Sequence, residues 1–449
     1  MLLSLVTSRM EISRLLIIFC FLISLQNIFM RCSFAADTIT PIHSLKDGNE
    51  SVHLVSSGQV FELGFFSSPK NSNNRYLGIW YRVTPDIVVW VANRNNPLND
   101  SFGELTIDNK GDLVLLDRAE SIVWSSDSTR QVAKSAVARL LDSGNLVLGE
   151  SELRLRSESY LWQSFDHPSD TLLPGMKLGW DLRIGLQRRL TSWKSADDPS
   201  DGEFTCSIEM KGPAQLLVMS GSTRKVIRGG PWNGVEFNGY TMGPNTAFRP
   251  KIVMNENESY IMSEPDVDLF HTRMTLNYAG QLQFFSLRSG YYEWTLMFSS
   301  SDDPCNEYDK CGTDGICNLN GDPLCQCLEG FVPSSQQEWK VGNQSNGCVR
   351  KTPLDCSRRD GFVKVGGLKL PDFLRFNLNA GLSLENCERE CLKDCSCVAY
   401  ANSNVSGEGS GCLMWFDNLT DVRVLRIKGV EHDIYLKLSA ADISKCLSC

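Results

Sequence analysis

Twelve of the chain's seventeen cysteines lie between Cys305 and Cys412, a window of 108 residues. The preceding stretch from Asp37 to Pro304 holds only Cys206. Thiols at that density persist only where they oxidise, which places the chain on the secretory route. The twelve divide evenly. Cys305, Cys311, Cys317, Cys325, Cys327 and Cys348 come with Gly312, Gly315 and a Gly330-Phe331 step, a loop-rich unit too small to build its own core. Cys356, Cys387, Cys391, Cys395, Cys397 and Cys412 surround one short helix, with Ser383 as N-cap and an end near Asp394. Within it Cys387, Cys391 and Cys395 recur every four residues, on one face. Such spacing suits a metal as well as disulfides, but zinc needs reduced thiolates and the compartment favours disulfides. No metal or other cofactor is therefore expected.

The N-terminus agrees with that compartment. Arg9 and Arg14 precede an apolar run from Leu15 to Leu25, and Ser33-Phe34-Ala35 supplies a small-residue cleavage site, so residues 1–35 read as a signal peptide. The whole chain carries −9 and its first 35 residues +2, leaving about −11 on the remainder. That balance argues against binding to nucleic acid or anionic membranes. Asn49, Asn99, Asn257, Asn343, Asn404 and Asn418 each open an Asn-x-Ser/Thr acceptor sequon, the mark of a glycosylated surface. No later apolar run approaches transmembrane length. His43, His53, His167, His271 and His432 form no helical metal pair, and no nucleophile elbow, phosphate loop or kinase signature is present. His167-Pro168-Ser169-Asp170 reads as turn chemistry. The chain is expected to be non-catalytic.

From Asp37 alternating apolar residues are broken by turn formers every eight to twelve positions, an all-β pattern. A repeat runs through it. Gly78-Ile79-Trp80 leads to Trp90, Gly111-Asp112-Leu113-Val114-Leu115 to Trp124, and Gly144-Asn145-Leu146-Val147-Leu148 to Trp162. The tryptophans are 34 and 38 residues apart. Each unit is too small to bury its own face, so three must share a centre, with the indoles as its fillers. Phe204–Met210, Gln215–Met219 and Gln281–Leu287 continue as strands, with Trp193, Trp232 and Trp294 as further candidate core rings and Cys206 as a buried strand thiol.

The Gly-Asn-Leu-Val-Leu phrase and Trp90-Val91-Ala92-Asn93-Arg94 resemble bulb-type mannose-binding lectin domains. With Phe61-Glu62-Leu63-Gly64-Phe65-Phe66, Trp162-Gln163-Ser164-Phe165-Asp166, Gly230-Pro231-Trp232-Asn233-Gly234 and Ala399-Tyr400-Ala401-Asn402-Ser403, the whole resembles the extracellular part of plant S-domain receptor kinases and S-locus glycoproteins. The resemblance implies an all-β chain with small disulfide-rich modules: two β-prisms, an EGF-like module, then a PAN/apple module with one short helix. The expected divisions are a bulb-type lectin domain at 37–160, an S-locus glycoprotein domain at 161–300, an EGF-like module at 301–350, a PAN/apple module at 356–438 and a tail at 439–449. The EGF-like resemblance implies pairing Cys305 with Cys317, Cys311 with Cys325 and Cys327 with Cys348. The PAN resemblance implies Cys387 with Cys412 and Cys391 with Cys397, with Cys356 and Cys395 the remaining pair.

A working bulb-lectin sugar site has the form Gln-x-Asp-x-Asn-x-Val-x-Tyr, whose period of two sets five side chains on one strand face. Here the first copy reads Asp108, Lys110, Asp112, Val114 and Leu116, and the second Leu141, Ser143, Asn145, Val147 and Gly149. Only Val114, Asn145 and Val147 match, Lys110 is donor-only, and Leu116 and Gly149 lack the tyrosine hydroxyl. The expectation is a lectin scaffold without mannose affinity. By resemblance, the function is extracellular recognition of a secreted peptide or protein signal, in pollen recognition or defence. Pairing with a second copy or with full-length receptor kinases goes with it, and the alternative is a mannose-type lectin. The kinase of those relatives is missing from the sequence. Ser439 to Cys449 is expected to be an unstructured tail of a secreted, soluble product, and Cys446-Leu447-Ser448-Cys449 fits neither a redox motif nor a prenylation box in that setting.

Overall fold

The computed structural model describes residues 37–48, 53–70, 72–127, 135–151, 159–235, 237, 250–264, 270–355, 360–425 and 432–446. The proposed signal peptide, Asn49 and Cys356 lie outside the described residues.

The repeat becomes three four-stranded antiparallel sheets. Phe61–Ser67, Arg75–Tyr81 and Thr84–Val91 form the first, Glu104–Ile107, Leu113–Leu116 and Ile122–Ser125 the second, and Val137–Leu140, Leu146–Gly149 and Trp162–Gln163 the third. Each is completed by a two-residue strand from the start of the chain: Leu54–Val55, Leu45–Lys46 and Thr38–Ile39 respectively. Alternation sends Leu63, Leu105, Leu113, Leu115, Leu146 and Leu148 inward, all at 0% exposure. Each sheet gives one indole to the centre. Trp90, Trp124 and Trp162 meet edge to face, with centroids 6.0, 6.1 and 5.6 Å apart. That is the shared centre the repeat requires.

A second set of three four-stranded sheets spans Thr171 to Ser299. Its strands Asp198–Glu209, Gln215–Ser220 and Leu282–Arg288 overlap the expected segments, leaving out only Met210 and Gln281. Its core differs from expectation. Trp193, Trp232 and Trp294 are each only half-buried. Trp232 packs on Phe237 and Trp294 on Tyr81 of the first prism. The space is filled instead by aliphatic side chains such as Leu178, Leu190, Val218, Leu276 and Leu282, all at 0% exposure. Cys206 lies among them as a free thiol in the strand, and burial pushes it up to about 12.

The cysteine-dense half is one structure. Cys325–Cys327 and Gly315–Cys317 of the first module join Val422–Val424, Gly361–Lys369, His432–Leu438, Ala399–Ala401, Cys412–Trp415 and Phe376–Asn379 in a single eight-stranded sheet. The junction is a parallel pairing of Ile316 with Val422 and Cys317 with Arg423. Ile316, Leu328 and Phe331 share a core with Leu368, Trp415, Ile434 and Leu436. A module too small for its own core borrows its neighbour's, so the two are not independent. Five disulfides join Cys305–Cys317, Cys311–Cys325, Cys327–Cys348, Cys387–Cys412 and Cys391–Cys397. Cys395 is also disulfide-bonded.

Helix α1 is Gln336–Lys340, α2 Leu384–Lys393 and α3 Ala440–Cys446. In α2 the Ser383 hydroxyl accepts from the Asn386 N–H, and Asp394 is the C-cap. Cys387 and Cys391 face inward, but Cys395 lies beyond the helix and off that face. Helix α3 corrects the expected unstructured tail. The Ser439 carbonyl accepts from the Asp442 and Ile443 N–H groups, and its hydroxyl donates to the buried Asp442 carboxylate. Ile443 packs on the shared core.

Candidate functional site

The two copies of the sugar motif are not strands along their full length. Asp108 to Gly111 turn the chain between Glu104–Ile107 and Leu113–Leu116. The Asp108 carboxylate accepts from the Lys110 and Asp112 N–H groups, and Gly111 takes a φ of 92° that suits glycine. Leu141 to Gly144 do the same in the second copy, with Gly144 at φ 83°. Period two therefore begins only at Leu113 and Leu146. It cannot bring Asp108, Lys110, Leu141 or Ser143 onto a strand face. Lys110 and Ser143 are exposed at the turns, Val114 and Val147 are buried at 1% and 0%, Leu116 is half-buried, and Gly149 pairs with Val137. Asp112 sits at the turn's edge and accepts from the Ser126 hydroxyl.

Asn145, the one matching polar residue, is 5% exposed and bonded at both its amide oxygen and its amide nitrogen. Its Nδ2 donates to Gln163 Oε1 at 2.9 Å, and its Oδ1 accepts from Ser164 Oγ and the Phe165 N–H, both at 3.2 Å. The amide staples the third sheet to the segment that leads into the second prism. A hydroxyl of mannose would have to displace those bonds.

The Trp90-Val91-Ala92-Asn93-Arg94 phrase is likewise structural. Trp90 Nε1 donates to the His167 carbonyl at 2.9 Å. Asn93 accepts from the Leu77 N–H and donates to the Arg75 and Asn96 carbonyls. Arg94, 9% exposed, crosses to the second prism and donates to the carbonyls of Pro199, Thr191 and Ser192. The His167-Pro168-Ser169-Asp170 turn lies on the same seam. Ser169 Oγ accepts from the Val91 N–H, and the Asp170 carbonyl from the Leu276 N–H. Burial raises Asp170 to about 6 against the opposing pull of Arg94. No nucleophile and base are paired there, so this is a joint.

A second joint, not foreseen from sequence, fixes the second prism to the cysteine-rich half. Arg228, at 0% side-chain exposure, donates to Asp421 Oδ2 at 2.6 Å and to the Leu370 carbonyl at 2.6 Å. Lys369 Nζ reaches the same Asp421 oxygen at 2.8 Å. Lys225 and the Tyr308 hydroxyl both donate to Asp372, at 2.6 and 2.7 Å. Burial opposes ionisation of Asp372, but Arg228, Lys225 and those bonds outweigh it and hold the group at about 2. Burial lowers Lys369 to about 8 although Asp421 opposes the change. Interior charges of this kind persist only when mutually paired. The prism and both modules are therefore held as one platform.

Between the prisms lies a cleft of about 760 Å³, lined on one side by the three central tryptophans and on the other by Ile184, Gln187 and Arg189. Of the sequon asparagines, Asn99, Asn257, Asn343 and Asn418 are exposed. Asn404 is half-buried, packs over Gly234 and accepts from the Ser406 N–H and hydroxyl. Among the described residues no group of His, Cys, Asp and Glu is placed to hold a metal, and no helix is long and apolar enough to cross a membrane.

Comparison with known proteins gives three family matches: "D-mannose binding lectin" over residues 87–194, "S-locus glycoprotein domain" over 227–335 and "PAN-like domain" over 356–422. The S-locus-specific glycoprotein BS29-2 of Brassica oleracea var. alboglabra is 40% identical over 418 residues, covering 92% of this chain and 94% of its own length. The receptor-like serine/threonine-protein kinase SD1-8 of Arabidopsis thaliana is 40% identical over 422 residues, 93% of this chain. The chain spans only 48% of that kinase's length. A monomeric monocot mannose-binding lectin from Gastrodia elata matches 29% of this chain and 96% of its own, at 19% identity and a TM-score of 0.21, too low to carry weight.

Proposed function

The chain belongs to the S-locus glycoprotein family, and on that premise we propose that it is an extracellular recognition protein whose ligand is a secreted peptide or protein. Asn145 carries the reading. The residue that would have to meet mannose is spent on Gln163, Ser164 and Phe165. A motif polar group at 5% exposure with three internal bonds serves the scaffold, and a stripped lectin scaffold is a rigid carrier for recognition surfaces. The two joints fit this role, because pre-organised platforms lose less entropy on binding. The kinase activity in the Arabidopsis relative's name belongs to a protein about twice as long. Assembly with a second copy, or with full-length receptor kinases, goes with the reading, and light scattering of the purified chain tests the first.

The experiment presents the immobilised full chain to small secreted cysteine-rich peptides and, separately, to a mannose-terminated glycan array. A peptide bound at micromolar affinity or tighter, with no mannose signal, is the expected outcome. Saturable binding to mannose-terminated glycans, reversed by methyl mannoside and without any peptide response, would overturn it.

A further inference from the structure

We propose that the cleft between the two prisms is a binding site for a short neutral oligosaccharide, separate from the mannose motifs and independent of the peptide reading. Its volume of about 760 Å³ lies in the usual range of small-molecule sites, roughly 300–1,000 Å³.

The chemistry of the lining selects the ligand. One wall presents indole: Trp124 is half-buried, Trp90 and Trp162 retain 5% and 8% exposure, and all three line the cleft. His167 covers Trp162 by stacking on it, with centroids 5.6 Å apart and planes 10° from parallel, so the rings open to the cleft are the half-buried Trp124 and the exposed His167. Ile184, 71% exposed, adds an apolar edge from the second prism. Flat rings of this kind suit the C–H face of a pyranose.

Most of the charges beside those rings are already committed. Arg94 is spent on three carbonyls and on Asp201 at 3.2 Å. Asp201 also takes the Asn95 amide at 2.8 Å, and Asp166 holds Arg188 at 2.6 Å. A phosphate or carboxylate ligand would meet Arg189 as the one cation with no ion pair among the described lining residues, facing three aspartates. A cationic ligand would find Asp166 and Asp201 already neutralised, and Asp127, the one lining carboxylate with no ion pair among the described residues, is matched by the one unpaired cation, Arg189. What the cleft still offers is aromatic surface together with groups such as Gln187 and the Ser125 hydroxyl. A ring with one apolar face and neutral hydroxyls at its edge answers both.

The test is a titration of the full chain, read by tryptophan fluorescence and by saturation-transfer NMR on the sugar. The probes are cellotetraose, xylotetraose and chitotetraose, each to about 50 mM, well above the ~1 mM of a weak single site. The expected result is a saturable fluorescence change with at least one probe. It weakens tenfold or more in Trp124→Phe and in the double variant Gln187→Ala/Arg189→Ala, and is unchanged in Lys110→Ala at the motif turn. The rim double variant keeps the proposal testable should Trp124→Phe disturb the central triad. Three outcomes would overturn the assignment: no saturable response to any probe, an unaltered response in the rim variant, or a response lost in Lys110→Ala. None of them bears on peptide binding.

Discussion

Replacing Asp421 with alanine removes the carboxylate that Arg228 and Lys369 share, at 2.6 and 2.8 Å, and the acceptor of the Asp309 N–H at 3.2 Å. The two cations have side-chain exposures of 0% and 1%. Stranding buried charge in this way costs about 3–5 kcal/mol, against ~0–1 kcal/mol for an exposed pair. Arg228 keeps Gln215 and the Leu370 carbonyl, which favours the lower end of that range. The loss also depends on pH. Lys369 titrates at about 8 in the folded chain, and without Asp421 it titrates lower still. An unfolded lysine holds its proton to about 10.4, so stability rises with pH across that gap, and the gap opens at lower pH in the variant. Asp309 adds to the same trend. Burial first, and Asp421 second, raise it to about 6, so removing Asp421 relieves it once it is ionised. The deficit should therefore be larger at pH 6 than at pH 8.5. Urea unfolding without reductant, followed by tryptophan fluorescence and far-UV circular dichroism, measures it. For a slope of ~2–3 kcal/mol per molar urea, the midpoint should fall by about 1–2.5 M. Combining Asp421→Asn with Arg228→Met and Lys369→Met should recover most of that, because no buried charge of the cluster is then left unpaired and asparagine tolerates the left-handed φ of 61° at this position. A fall of less than about 0.3 M at both pH values, the response of a surface pair, would refute the reasoning.

Arg94→Lys should cost about 2–3 kcal/mol despite keeping the charge, because one ammonium cannot span the carbonyls of Pro199, Thr191 and Ser192; a variant as stable as the parent in the same urea assay would contradict this. Asn145→Ala should lose about 1–3 kcal/mol while leaving the absence of mannose heat in calorimetry unchanged, whereas low-millimolar binding abolished by the substitution would restore the lectin reading. Glycan occupancy should be lower at Asn404 than at Asn99, Asn257, Asn343 and Asn418, since its side chain lies against Gly234 and is bonded to Ser406; peptide mass spectrometry showing Asn404 fully occupied would count against that packing.

What could be read in advance was what repeats or caps locally. The 34- and 38-residue tryptophan spacing led to the indole triangle, and Ser383 to the start of α2, because each signal lies within one turn or one repeat. Two departures from expectation carry local signals of their own. Asp108-Asn109-Lys110-Gly111 is a run of turn formers, which argues against extending a strand through it. Ser439-Ala440-Ala441-Asp442 has the spacing of a capping box, and α3 begins at its second residue. The charged joint had no such signal. Arg228 and Asp421 are 193 positions apart, and Lys369 lies 52 before Asp421. Arg228 and Lys369, each in a strand, read alone as solvent-facing charges, and Asp421 reads as a turn residue ahead of one. Only the parallel pairing of Ile316 with Val422, which draws the first cysteine module into its neighbour's sheet, brings Asp309 and Asp421 together against the second prism. The disulfides confine loops within each module, and the buried charges fix the modules to the prism; that second task depends on contacts distant in sequence, which local pattern does not encode.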